Sequence, residues 1–202
     1  MMNGSTLPIR SALTTRFAAV LSQAVVVTTL AVSAVAAGAQ MQMPAQGNGK
    51  PPLSPPAEAR VMLEGKTLAI KYSAPSMRGR VIMGGLVPYG QVWRTGANEA
   101  TSLVTELPLK IGDLSVPAGS YTLYTMPAAP GKPWQLIVNK QTGQWGTVYK
   151  QDMDLGRTPL KHDEISAPQE LMSISFEKTG KHSTELHIKW EKADEWVKIE
   201  AK

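Results

Sequence analysis

From Ala57 to the end of the chain, apolar side chains recur every second residue rather than every third or fourth. "ARVMLEGKTLAIKYS" (59–73) predicts a hairpin, with Glu64-Gly65 at the turn and Leu68, Ile70 and Tyr72 alternating along the return strand. "ATSLVTELPLKI" (100–111) predicts another strand, and "GSYTLYTMP" (119–127) one more, entered through the turn Pro117–Gly119. Trp134, Leu136 and Val138 alternate in the next segment, and Met172, Ile174 and Phe176 in the one after it. In "STELHIKWEK" (183–192), Leu186, Ile188 and Trp190 take the dry face, which puts His187 on the wet one. The closing "EWVKIEAK" (195–202) offers Trp196, Val197 and Ile199 for packing. A short helix around Val148–Met153 is the sole helical candidate after residue 57.

One wet and one dry face per strand suits two sheets stacked on their dry sides. The fold class expected is therefore all-β, an antiparallel β-sandwich (jelly-roll-like) of about eight to ten strands spanning residues 57–202.

The first 56 residues follow other rules. Arg10 and Arg16 precede an apolar run from Phe17 to Ala37, and small residues follow at Ala37 and Ala39. A basic start, an apolar middle and an A-x-A exit have the form of a secretory signal peptide over residues 1–39, cleaved after Ala39. The alternative is an uncleaved anchor, since the run is about long enough to span a bilayer. Ser22, Gln23, Thr28, Thr29 and Ser33 dilute the run, and no basic cluster follows it. Residues 40–56 include Pro44, Pro51, Pro52, Pro55 and Pro56 and have little to bury, which suits a disordered or polyproline-like linker. The expected location is the periplasm or the outside of the cell, with no membrane attachment after cleavage.

Cleavage would leave 163 of 202 residues and lower the net charge from +5 to +3, because the two arginines go and no acid does. That excess is too small and too scattered for a nucleic-acid partner. With no Cys in the chain, stability must come from a hydrophobic core without disulfides, which this length permits.

Chemistry concentrates in Pro75–Ala100, "PSMRGRVIMGGLVPYGQVWRTGANEA", which has three arginines (Arg78, Arg80, Arg94), no lysine and one acid, Glu99. The remainder of the mature chain has fourteen lysines and only Arg60 and Arg157. A guanidinium is a rigid planar fork that pairs bidentately with carboxylate or phosphate, while an ammonium is a hydrated point charge. Two roles follow. In one, Glu99 neutralises one arginine and the others bond backbone carbonyls of a Gly-rich loop, clamping it. In the other, two arginines outnumber the available carboxylate and hold a small anionic or polar ligand. Trp93 and Tyr89 would then form a flat wall, with Asn98 and Glu99 orienting the ligand or the arginines. A second polar stretch, "NKQTGQWG" (139–146), supplies Asn139, Lys140, Gln144 and Trp145 as a second wall or, alternatively, a hairpin loop with Trp145 folded over the core.

"PSMRGR", "GGLVPYGQVWRTGANEAT", "VPAGSYTLYT" and "LIVNKQTGQWG", in this order and spacing, resemble a family of exported bacterial proteins described only as a domain of unknown function. The resemblance covers roughly residues 54–200. It implies export and a β fold, and leaves the chemistry open. Arg78, Gly79, Arg80, Trp93, Arg94, Gly96, Asn98, Glu99, Asn139, Lys140, Gln144 and Trp145 carry the matching motifs.

Enzyme signatures are sparse. G-x-S-x-G is absent, and "SFEK" (175–178) falls in a strand, where Ser175 and Lys178 stand about 10 Å apart. His162, His182 and His187 have no metal-ligand spacing, so neither a metal nor a cofactor is expected. Glu99 and Glu106 lie too far along one strand to act as a glycosidase pair. The enzymatic alternative is Glu99 as general acid or base beside Arg94, with Asn98 as oxyanion donor. A purely structural envelope protein is the third reading, and the sequence leaves the oligomeric state open.

Overall fold

The computed structural model describes residues 53–202; the signal-peptide expectation and most of the linker lie outside them. Ten strands form two antiparallel sheets: β1 Pro56–Leu63, β2 Lys66–Ser73, β3 Thr101–Thr105, β4 Leu109–Ile111, β5 Leu114–Val116, β6 Gly119–Met126, β7 Gln135–Asn139, β8 Asp154–Pro159, β9 Lys161–Glu177 and β10 Ser183–Ala201. The larger sheet runs β1-β2-β3-β6-β7-β8 and the smaller β5-β4-β10-β9. The expected all-β sandwich is present, and the barrel does not close. The helical candidate is one 3-10 turn, Gln151–Met153.

The first hairpin has the expected turn: Leu63 pairs with Lys66, and Glu64 and Gly65 both have positive φ (50° and 72°), as a two-residue turn between twisted strands requires. The stretch 100–111 is two strands instead of one. Glu106-Leu107-Pro108 interrupts it, and the chain passes from the larger sheet into the smaller. Pro108 has no N–H to give a ladder, and the Glu106 carboxylate accepts the Thr67 N–H at 2.7 Å instead.

The two expected C-terminal strands run together as β10, but with a break in phase. Leu186, Ile188 and Trp190 are buried, and then Val197 and Ile199 are, so the inward parity shifts from even to odd. Register shifts on both sides of Glu191, whose φ is 55°, account for the shift. Trp196 consequently sits on the opposite face from Val197 and Ile199. The bend also corrects the expectation for His187. Seven residues of straight strand would put His187 and Asp194 about 23 Å apart, yet His187 Nδ1 lies 2.8 Å from Asp194 Oδ1. Trp196 stacks on the imidazole (centroids 5.8 Å, planes 14°), and His187 is buried. Leu63, Ile70, Leu103, Leu136, Ile188 and Ile199, drawn from both sheets, fill the core between them.

Candidate functional site

The arginine-rich loop joins β2 to β3 and is pinned at three places. Trp93 and Thr125 exchange backbone hydrogen bonds (2.7 and 2.9 Å), fixing it to β6. Ala97 N–H donates to Ser73 carbonyl at 3.0 Å, fixing it to β2. Gly146 N–H donates to Asn98 carbonyl (3.1 Å) and Ala100 N–H to Gln144 carbonyl (3.3 Å), fixing it to the 139–146 loop. The two polar loops therefore share one end of the sandwich. Thr95 and Asn98 hold positive φ (56° and 58°), and for the β-branched Thr95 this is costly backbone. Thr95 is fully buried; its hydroxyl bonds Thr125 Oγ1 at 3.1 Å and its carbonyl accepts from Thr101 Oγ1 at 2.9 Å.

Between these loops opens a hollow of about 520 Å³, lined by Arg80, Arg94, Trp93, Asn98, Tyr124 and Tyr149, with the Gly146 backbone in one wall. Arg94 donates only Nε, to Gly96 carbonyl at 3.3 Å. Arg80 is tied to its own loop, Nε to Met77 carbonyl (2.9 Å) and Nη2 to Ser76 carbonyl (2.7 Å). Neither forms an ion pair among the described residues.

Four of the ten expected site residues thus meet: Arg80, Trp93, Arg94 and Asn98. The other six do not line this hollow. Arg78 is exposed and donates Nη2 to Leu53 carbonyl at 2.6 Å, clamping the chain just before β1. Glu99 is exposed and borders a separate depression with Glu58 and Lys71; it forms no ion pair with an arginine among the described residues, so the neutralising role expected of it is not filled. Asn139 is buried and spent. Its Nδ2 donates to Lys150 carbonyl and Asp154 Oδ1, both at 2.8 Å, and its Oδ1 accepts Gln141 N–H at 2.9 Å. Gln144 Nε2 donates to Thr122 Oγ1 (3.1 Å) and Tyr124 OH (3.0 Å), so the side chain braces the wall from behind. Lys140 points to solvent, and Trp145 is 51% exposed, covering neither core nor hollow.

Trp93 is also more structural than expected, stacked on Trp190 (5.8 Å, 18°) and edge-on to Trp134 (6.5 Å, 83°). Tyr89 packs beneath Gly84 and borders a different pocket, so it is no wall of this hollow. The aromatic walls that sequence reasoning missed are Tyr124 and Tyr149, rings 5.0 Å apart and edge-to-face. Tyr149 OH donates to Asp154 Oδ2 at 2.7 Å and accepts Arg157 Nη2 at 2.7 Å. Burial, and then the Asp154 carboxylate, push its phenol up to about 12. No local sequence signal marks the pair, because β6 and the 147–150 segment are brought together only by the fold.

No curated protein and no solved structure matches the chain. Residues 54–199 match the family described as "Protein of unknown function (DUF2911)", which takes in the whole motif string and nearly every described residue. The chain belongs to that family.

Proposed function

We propose that this protein is an exported binding module for a small anion-bearing polar ligand, held in the hollow between the two loops. The observation that carries the reading is that two guanidinium groups, Arg80 and Arg94, line one hollow and neither meets a protein carboxylate among the described residues. The terminal nitrogens of Arg94 are uncommitted, which leaves the bidentate edge of the fork for a carboxylate, phosphate or sulfate. Arg80, anchored through two carbonyls, is a preorganised cation rather than a free one. Asn98, held at positive φ by the contact with Gly146, adds an amide that can donate or accept. Tyr149, partly exposed and backed edge-on by the buried Tyr124, gives a flat surface that suits a ring. Export rests on the basic-apolar-small pattern of residues 1–39.

The experiment is thermal unfolding of the purified protein in inorganic phosphate, sulfate, succinate and acidic sugars. An anion present at a hundred times its Kd stabilises by about 2.7 kcal/mol. Arg94→Ala should remove that gain while costing the unliganded protein no more than about 0.5–1.5 kcal/mol, the worth of one hydrogen bond. Arg78→Ala should leave the gain intact. Stabilisation by none of these anions, or stabilisation that survives Arg80→Ala and Arg94→Ala together, sinks the reading.

A further inference from the structure

A second pocket, of about 610 Å³, opens elsewhere on the domain, lined by Met83, Tyr89, Pro133, Trp134, Leu160 and Ala193 among others. No residue of the arginine-lined hollow borders it. Its size is that of a small-molecule site, and its walls are mainly aliphatic and aromatic. Its polar feature is a pair facing across β9 and β10, where His162 and Glu195 are direct register partners. His162 Nδ1 stands 2.6 Å from Glu195 Oε1. The Glu195 side chain is 1% exposed and the imidazole 55%. Glu195 Oε2 is buried without a hydrogen-bond partner, and a native fold rarely leaves such an atom so unless the group has other work. Burial pushes this carboxyl above its ordinary range, against the pull of His162.

A buried carboxylate on Nδ1–H fixes the imidazole tautomer and leaves Nε2 to act outward. Here Nε2 has no protein partner among the described residues. Three lysines and three glutamates border the mouth, so its charge is balanced, and the preference for an anionic head comes from the outward Nε2 of His162 with Lys132 nearby. Lys132, Lys161 and Lys192 all border the pocket. Lys192 answers Glu164 at 3.7 Å, and Lys161 lies over the Trp196 ring at 4.5 Å. Lys132 meets no carboxylate among the described residues. Of the acids, Glu195 faces His162, and Glu191 accepts the Met83 N–H at 3.1 Å while keeping its charge, which offsets that of Lys132.

We propose that this pocket binds a carboxylic acid with an apolar body, an alkanoate or aryl-alkanoate, with the chain against Trp134 and Leu160 and the carboxylate on His162 Nε2. The ligand enters as the anion, the imidazole takes one proton from water on Nε2 as it binds, and the Glu195 carboxylate stabilises the imidazolium through Nδ1–H. The site is independent of the arginine-lined hollow, so either can fail alone.

The test titrates the purified protein with octanoate and 4-phenylbutyrate by calorimetry and by tryptophan fluorescence, with octanol and 4-phenylbutanol as uncharged counterparts. Saturable binding of the acids, at least tenfold tighter than of the alcohols, is expected. His162→Ala should weaken the acids at least tenfold and leave the alcohols within about twofold. His162→Ala leaves the buried Glu195 carboxyl without its partner, so the double variant His162→Ala/Glu195→Gln, which buries no charge, is measured beside it and should show the same loss of the acids. Glu195→Gln keeps the shape and removes the stabilising carboxylate, and should lie between. Ala129→Trp, on the exposed rim, should block acids and alcohols alike, whereas Arg94→Ala should change neither. Absence of binding, equal affinity for acids and alcohols, or acid affinity unmoved by His162→Ala would overturn the proposal.

Discussion

Gly146 lies against the Arg94 side chain and 2.7 Å, at the position a Cβ would take, from the Asn98 carbonyl oxygen. Its φ is not positive, so the backbone does not require glycine; the close approach of the two loops does. Gly146→Ala should force the loops apart at the point where their hydrogen bond holds Asn98. The expected loss is about 1–3 kcal/mol, as for overpacking elsewhere, read as a lower midpoint in urea. Anion-induced stabilisation should fall with it, since Arg94 has to swing away. A variant as stable as the parent would mean that the loops part freely and do not preorganise the hollow.

Asn139 separates structure from ligand contact within the same loop. All three of its hydrogen bonds go to protein atoms. Asn139→Ala strands Asp154 Oδ1 and the Gln141 N–H, each costing about 1–3 kcal/mol where it stays buried and unpaired. Equilibrium unfolding should show the loss, while the anion response in the hollow should persist. Lost binding at full stability would return Asn139 to the ligand.

The alternation along each segment carried most of the fold, because a half-buried strand has to write its two environments into the sequence. It failed where geometry changes without a residue to mark it. Glu191 takes a positive φ that glycine would have signalled, and a reader of the alternation has no reason to bend β10 there. His187 was misplaced as a result. The site was legible to a lesser degree. The surplus of arginine over acid singled out the loop that borders the hollow, but side-chain direction divides its members: Arg80 and Arg94 line the hollow, while Arg78 ties down Leu53. Asn139 ends β7, and its polarity reflects the bonding needs of a buried strand end rather than an open surface.

The tryptophans should part sharply in an alanine scan. Trp93 is stacked on Trp190 and edge-on to Trp134. Trp93→Ala should cost about 3–5 kcal/mol, whereas Trp145→Ala, at a residue 51% exposed, should stay within about 0.5 kcal/mol. Denaturant unfolding of both variants checks the contrast. A stable Trp93→Ala protein would free that ring for the ligand-stacking role.

Acid should unfold this domain in part through the charge ladder on β9 and β10. Lys189 Nζ sits 2.6 Å from Glu177 Oε1, and Lys178 Nζ 2.9 Å from Glu185 Oε2. The Lys189 hydrogen bond holds Glu177 below the ordinary carboxylate value. For Glu185, burial pushes upward, but the bonds from Lys178 and His187 outweigh it, and the net direction is again down. A depressed acid contributes stability above its ordinary value of 4.5, and that contribution disappears as pH falls through the lower, folded value. Melting temperature should therefore drop below pH 4.5, and Lys189→Ala should lower it at neutral pH and make the acid limb shallower, so that the two proteins converge as the pH falls. An acid limb identical in the variant would remove the ladder from the explanation.

Tyr149 predicts the opposite limb. Its phenol is pushed up to about 12 by burial first and by Asp154 next, from an ordinary value of 10.0. The raised value means that the folded state holds this proton more tightly than the unfolded chain does. The associated stability is fully present below pH 10 and is lost as pH rises toward 12. An ultraviolet tyrosinate titration should show at least one phenol still neutral in the folded protein when ordinary tyrosines have ionised. Asp154→Asn removes the second cause but leaves burial, so the late phase should move down without vanishing. Because Tyr149 walls the arginine-lined hollow, a bound anion should retard that phase further. A titration with no late phase in the folded protein would show that water reaches Tyr149 freely and that the wall is open.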